Sequence, residues 1–194
     1  LVLTFIGLIY LWATLHQPLT VGVAAFTFAA YVLIYTPLKR RTTLNTLVGA
    51  VPGALPPVIG WTAVRGSFDT QALTMFVIVF LWQVPHFLAI AWMYRDDYER
   101  AGLLMLPVVD PEGVLTGRQM VGYCLALIPA SLMPITLGLA SPVYLTGALL
   151  LGGFFLYPAV GFARERTVPR ARRVLRASLI YLPALLALAV LSGQ

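Results

Sequence analysis

Seven apolar stretches divide the chain, separated by short polar connections. They cover residues 1–15, 20–35, 46–64, 71–94, 120–139, 143–163 and 174–191. None alternates apolar and polar residues as a half-buried strand does. Most approach the roughly 20 residues that a helix needs to cross about 30 Å of hydrocarbon. Inside hydrocarbon the backbone must satisfy its own hydrogen bonds, so each stretch is predicted to be a helix. The pattern predicts an all-α polytopic membrane helix bundle, forming one domain over 1–194, with no internal repeat or low-complexity linker. The third stretch, LVGAVPGALPPVIGW, carries Pro52, Pro56 and Pro57 among Gly49, Gly53 and Gly60. It predicts a broken helix that faces protein or a cavity rather than lipid.

Composition strengthens the membrane assignment. Of 194 residues, 60% are hydrophobic and 10% charged, against about 25% charged in soluble domains. The net charge of +6 matters through its placement. One set of alternate connections holds Lys39, Arg40 and Arg41, then Arg95, Arg100 and Arg118, then Arg164, Arg166, Arg170, Arg172, Arg173 and Arg176. The other set holds only Arg65. This asymmetry predicts that the basic connections are cytoplasmic and that the C-terminus falls on the opposite side. The implied partner is the lipid bilayer, not nucleic acid, because there is no exposed basic domain. The single Cys124 excludes an internal disulfide and a CxxC metal site. Leu1 lies inside an apolar run with neither a charged n-region nor a cleavage site, so the start is not a signal peptide. The chain is expected to be truncated there.

Two polar clusters fall at the basic side. The stretch IYTPLKRRTTLNT groups Tyr35, Lys39, Arg40, Arg41 and Asn45 at a helix end. Such cations contact anionic lipid heads or grip phosphate oxygens. The stretch WQVPHFLAIAWMYRDDYERAG ends in Asp96, Asp97 and Glu99. These carboxylates either pair with Arg95 and Arg100 at a solvated helix end or hold a hard cation such as Mg²⁺. Together the clusters form the two halves of a Mg²⁺–diphosphate site, which favours a lipid diphosphate as ligand. Helical spacing is expected to align Gln83, His86, Ile90, Met93 and Asp97 on one face, with His86 about 12 Å below the helix end. His86 reads either as a hydrogen-bonded structural histidine or as a contact to a substrate lodged between helices. The late run RERTVPRARRVLR reads as topology and lipid anchoring.

The segments YTPLKRRTTLNTLVGAVPGALPPVIGW and FLWQVPHFLAIAWMYRDDYERAGLLMLPVVDPEG resemble the protohaem IX farnesyltransferases, or haem O synthases. These belong to the UbiA-type superfamily of intramembrane prenyltransferases. The resemblance implies a nine-helix bundle of which seven spans are present. It also implies Mg²⁺ as cofactor, and binding of farnesyl diphosphate between two polar motifs at the cytoplasmic face of a bacterial inner membrane. The family's N-x-x-x-D-x-x-x-D motif does not occur here and would lie on the two missing helices. The Y-x-x-x-K element matches Tyr35 and Lys39, implying diphosphate contact for Lys39 with Arg40 and Arg41 as helpers. The superfamily's D-x-x-x-D spacing is taken here by Tyr94 and Tyr98, not by aspartates.

On the same resemblance, Lys39 and Asp97 are expected to be catalytic. Tyr35, Arg40, Arg41, Asn45, His86, Tyr94 and Arg95 are expected to bind substrate, and Asp96 and Asp97 the metal. His86 would touch the porphyrin or its iron. Tyr31, Tyr35, Trp82 and Tyr94 would flank an allylic cation. The implied reaction joins farnesyl diphosphate, haem b and water into haem O and diphosphate, with haem A synthase as a downstream partner. The rival readings are a UbiA-type enzyme with a quinone or chlorophyllide acceptor, a transporter, and a structural membrane subunit.

Overall fold

The computed structural model describes residues 2–138 and 141–192, which are helices and short connections without a strand. The helices are α1 (Val2–Leu15), α2 (Pro18–Ala29), α3 (Thr36–Leu38), α4 (Asn45–Gly53), α5 (Pro56–Arg65), α6 (Thr70–Met93), α7 (Arg95–Arg100), α8 (Leu106–Val109), α9 (Val114–Thr136), α10 (Pro142–Arg164) and α11 (Val168–Ser192). A π-helical stretch, Ala30–Tyr35, joins α2 to α3 without a break.

Among the described residues, six segments are long and apolar enough to cross a membrane: Pro18–Leu38, Asn45–Arg65, Thr70–Met93, Val114–Thr136, Pro142–Arg164 and Val168–Ser192. The predicted first span corresponds to α1, an apolar helix of 14 described residues. The fifth and seventh spans begin six residues earlier than the apolar pattern indicates, at Val114 and Val168. Their polar first turns, which include Arg118 and Arg170, are helical without being apolar. The predicted end of the fifth span, Leu139, lies outside the described residues, as does Leu1.

The core sits where α6, α9, α10 and α11 pack together. Leu88, Met120, Leu127, Phe155, Phe162 and Tyr181 are all fully or almost fully buried there. Polar groups inside it are paired, as an apolar surrounding demands. The Tyr144 hydroxyl donates to the Ser131 carbonyl at 2.9 Å, and the Ser131 and Tyr181 hydroxyls bond each other. Outward faces show the inverse pattern, with Leu3, Leu33, Leu150 and Leu191 all more than two-thirds exposed, as lipid-facing residues are.

The third span is broken as its prolines predict. Helix α4 stops at Gly53, and α5 restarts with Pro56 in its first turn. Ala50, Ala54 and Val58 around the break are fully buried, so the discontinuity faces protein. Its far end is tied to α6 by Asp69. One carboxylate oxygen accepts the Gln71 and Ala72 N–H groups at 3.1 Å, and the other accepts Trp61 Nε1 at 3.0 Å. Alternation of the spans then puts the connections Lys39–Leu44, Tyr94–Gly113 and Glu165–Thr167 at one end of the bundle.

Candidate active site

The site begins with the π-helical turn. Widening the helix by one residue sends the Thr36 N–H back to the Tyr31 carbonyl, which also accepts the Thr36 hydroxyl at 2.9 Å. Such turns commonly mark functional positions. Within this turn the Tyr31 and Tyr35 rings, four residues apart, lie 5.0 Å between centroids. Lys39 Nζ stands 4.4 Å from the Tyr35 ring centroid and 5.8 Å from that of Tyr31. The ammonium is half-buried against two π faces. Among the described residues no carboxylate pairs with it. Arg40 and Arg41 are exposed beside it.

Tyr31 and Tyr35 wall a cavity of about 160 Å³. Gln83, Phe87 and Ile90 of α6 close its second side, and Tyr98 of α7 lies at a third. The broken span forms the floor with Gly49 and Gly53. These glycines sit four residues apart on one helix face, and each makes room for a cavity side chain. A Cβ on Gly49 would stand 2.5 Å from the Tyr35 ring, and one on Gly53 would stand 2.1 Å from Gln83 Oε1. Gly60, by contrast, has open space. Gln83 is held from the other end, its Nε2 donating to the Ala50 and Val79 carbonyls at 3.1 Å each.

Asn45 is fully buried and spends its amide on the backbone. Its Nδ2 donates to the Thr42 carbonyl at 2.6 Å and to the Leu104 carbonyl at 2.7 Å. The Leu104 N–H in turn donates to the Lys39 carbonyl at 2.7 Å. These bonds bind the segment after Lys39 to the segment after α7, so the basic and acidic clusters meet at one face. Asn45 therefore positions the site from beneath.

The expected row on α6 is realised only in part. Gln83 and Ile90 line the cavity, but His86 does not. At 100° per residue, His86 is turned 60° from Gln83, whereas Phe87 and Ile90 stay within 40° and take the row. Helix α6 also ends at Met93, so Asp97 belongs to a separate turn. His86 instead faces α11, stacked on Trp82 at 4.8 Å between ring centroids. Its Nδ1 lies 2.8 Å from the Ser178 hydroxyl, and that hydroxyl donates to the Leu175 carbonyl at 2.6 Å. No described protein group bonds Nε2.

The acidic residues do not line the cavity. Asp96 pairs with Arg95 at 3.5 Å, Asp97 pairs with Arg100, and both carboxylates are mostly exposed. Arg95 also covers the Trp92 ring at 4.8 Å, and Tyr94 is exposed. Of the aromatic residues expected around a cation, Tyr31 and Tyr35 line the cavity while Trp82 and Tyr94 do not. The pattern left Phe87 out of the site. Tyr98 carried a signal, namely its four-residue spacing from Tyr94. As a metal site, Asp96 and Asp97 offer hard oxygen donors, and among the described residues no group of three His, Cys, Asp or Glu gathers. That suits only an ion that takes one or two carboxylates and completes its shell with water and phosphate, as Mg²⁺ does. The buried Asp110 takes no part, because it is spent on the first turns of α9, accepting the Thr116 N–H at 2.7 Å and hydroxyl at 2.9 Å.

The UbiA prenyltransferase family model matches residues 1–190. The chain belongs to that family. It is 52% identical over 189 residues to a protoheme IX farnesyltransferase of Solibacter usitatus, covering 97% of this chain and 64% of that protein. It is 48% identical to the protein of the same name from Salinibacter ruber, covering 81% of this chain and 56% of that protein. For the one from Koribacter versatilis the identity is 41%, covering 96% and 61%. The chain thus spans 56–64% of the length of these relatives. A solved structure from a study of digeranylgeranylglyceryl phosphate synthase in membranes shares the fold. Its TM-score is 0.80 at 14% identity, covering 99% of this chain and 67% of that one.

Proposed function

We propose that the chain carries the diphosphate and acceptor sites of an enzyme that makes haem O. In this reading a farnesyl group passes from farnesyl diphosphate to a vinyl group of haem b, with addition of water and release of diphosphate. The observation that carries the reading is Lys39. It is a half-buried ammonium against Tyr31 and Tyr35, without a carboxylate partner among the described residues, beside a cavity at the basic end. The relatives named above supply the choice of substrates.

Lys39, helped by Arg40 and Arg41, offsets the charge that grows on the leaving diphosphate as the allylic C–O bond breaks. The bonding electrons leave with the diphosphate. The faces of the Tyr31, Tyr35 and Phe87 rings would stabilise the allylic cation, and the rings would keep early water away. The vinyl π electrons form the new C–C bond. The cation left beside the porphyrin takes a water oxygen, and the released proton passes to diphosphate or solvent. Asp97, with Asp96, would give carboxylate oxygens to Mg²⁺, whose chemistry when bound is to neutralise the diphosphate. His86 would meet the porphyrin from the α6–α11 side through Nε2. The asymmetry of basic residues supports a cytoplasmic site, and the bacterial relatives support the inner membrane of a bacterium. Haem O would pass on to a downstream haem A synthase.

The acceptor is tested by competition. The Solibacter usitatus relative, with its matching stretch replaced by this chain, is given farnesyl diphosphate together with haem b and 4-hydroxybenzoate. Farnesylation of haem alone is expected. Farnesylation of the phenol alone would assign the site to quinone chemistry.

A further inference from the structure

A second cavity, of about 620 Å³, opens between α10 and α11 and shares no residue with the site above. Its two walls change character together along the membrane normal. At the basic end they carry Arg164 of α10 and Arg170, Arg173 and Arg176 of α11. The three α11 arginines recur every third residue and so share one side of that helix. Further in, at 1.5 Å per residue, the walls are Phe154, about 15 Å from Arg164, and Ile180, about 6 Å from Arg176, with Tyr157 between Phe154 and Arg164. Phe154, Tyr157 and Ile180 are 45%, 81% and 55% exposed.

The charge in this groove is unbalanced. Four arginines meet one carboxylate, Glu165. Arg170 grips it through Nε at 3.0 Å and Nη2 at 2.8 Å. Among the described residues, Arg164, Arg173 and Arg176 have no ion-pair partner. Arg176 is also the last charged residue before an uninterrupted neutral stretch to Ser192. A guanidinium at that depth is costly unless it snorkels or meets an anion. Simple lipid anchoring explains Arg166 and Arg172, which lie outside the groove. It does not explain why the other four converge on one amphipathic slot.

We propose that this groove binds one anionic phospholipid. Arg164, Arg173 and Arg176 hold its phosphate, and an acyl chain lies along Tyr157, Phe154 and Ile180. The binding is independent of the prenyl-transfer reading.

The test uses the chain reconstituted in phosphatidylcholine vesicles that contain a photoreactive phosphatidylglycerol. Crosslinks are expected at 154–158 and 177–180. The Arg173→Gln/Arg176→Gln variant should lose about tenfold or more of the labelling, at about 1 kcal/mol per cation near the surface. The Arg166→Gln/Arg172→Gln variant removes the same charge and should keep it. If the first double variant does not insert, Arg176→Gln alone carries the comparison. Equal loss in both double variants would show diffuse attraction and overturn the proposal. Equal labelling by a photoreactive phosphatidylcholine would overturn the headgroup assignment. Displacement by inorganic phosphate would mark a free-phosphate site and overturn the lipid.

Discussion

At the scale of single residues, the candidate active site depends on how two side chains pass a helix that lacks Cβ atoms where they pass. Gly49→Ala puts a methyl group into the Tyr35 ring. The ring must leave its place, and Lys39 loses the π face it rests on. Turnover is expected to fall by about tenfold to a hundredfold, the usual result of a misplacement near 1 Å, with membrane insertion retained. Unchanged turnover of the purified variant would remove Tyr35 from the site. Lys39→Met should lower kcat/KM for farnesyl diphosphate about ten- to a hundredfold, because a hydrogen bond to a charged group contributes about 1.5–3 kcal/mol. An unchanged kcat/KM would leave Lys39 as a lipid anchor. His86→Ala should weaken haem use while farnesyl diphosphate binding stays level. If haem affinity and turnover both hold, the bond from His86 to Ser178 is only structural.

At the scale of elements, Asp69 joins the broken third span to α6. Its carboxyl is held below the ordinary carboxylate range, first by the Ala72 N–H and further by Trp61 and Gln71. The folded form therefore binds its proton less readily than the unfolded form. The stability it contributes is present above the unfolded pKa, near 4, and is lost as pH falls through the lower folded value. Thermal unfolding in detergent should show a melting temperature that drops with acid in this range. The drop should be shallower in Asp69→Asn. Parallel curves would mean that the cap does not couple to folding.

This element also shows what the residue pattern can reveal. Three prolines announce the break, because no proline donates a backbone hydrogen bond. The pattern cannot say that Gly49 and Gly53 are contact points while Gly60 is not, since that depends on a ring and an amide arriving from other helices. The turn at Ala30–Tyr35 has no sequence mark of its own. The spacing of Tyr31, Tyr35 and Lys39, four residues each, was legible and puts them on one helix face. Phe87 escaped notice because a straight row drawn through His86 is displaced by one position.

At the scale of the whole molecule, the charge asymmetry and the helix order agree. Lys39 belongs to one connection and Tyr98 and Leu104 to another, yet they come together at one end, where buried Asn45 holds the two connections together. The same end gathers the arginines of α10 and α11, so one basic face carries both the proposed reaction and the proposed lipid contact. The central claim is that this end performs farnesyl transfer to haem, with Lys39 on the diphosphate. It is tested most directly by the mass of the haem extracted from cells that lack their own haem O synthesis. Those cells would express the Solibacter usitatus relative with its matching stretch exchanged for this chain. The account predicts haem carrying an added farnesyl group and one hydroxyl, and its disappearance in the Lys39→Met form. Haem b alone from the exchanged protein, present in the membrane at the level of its unexchanged parent, would contradict it.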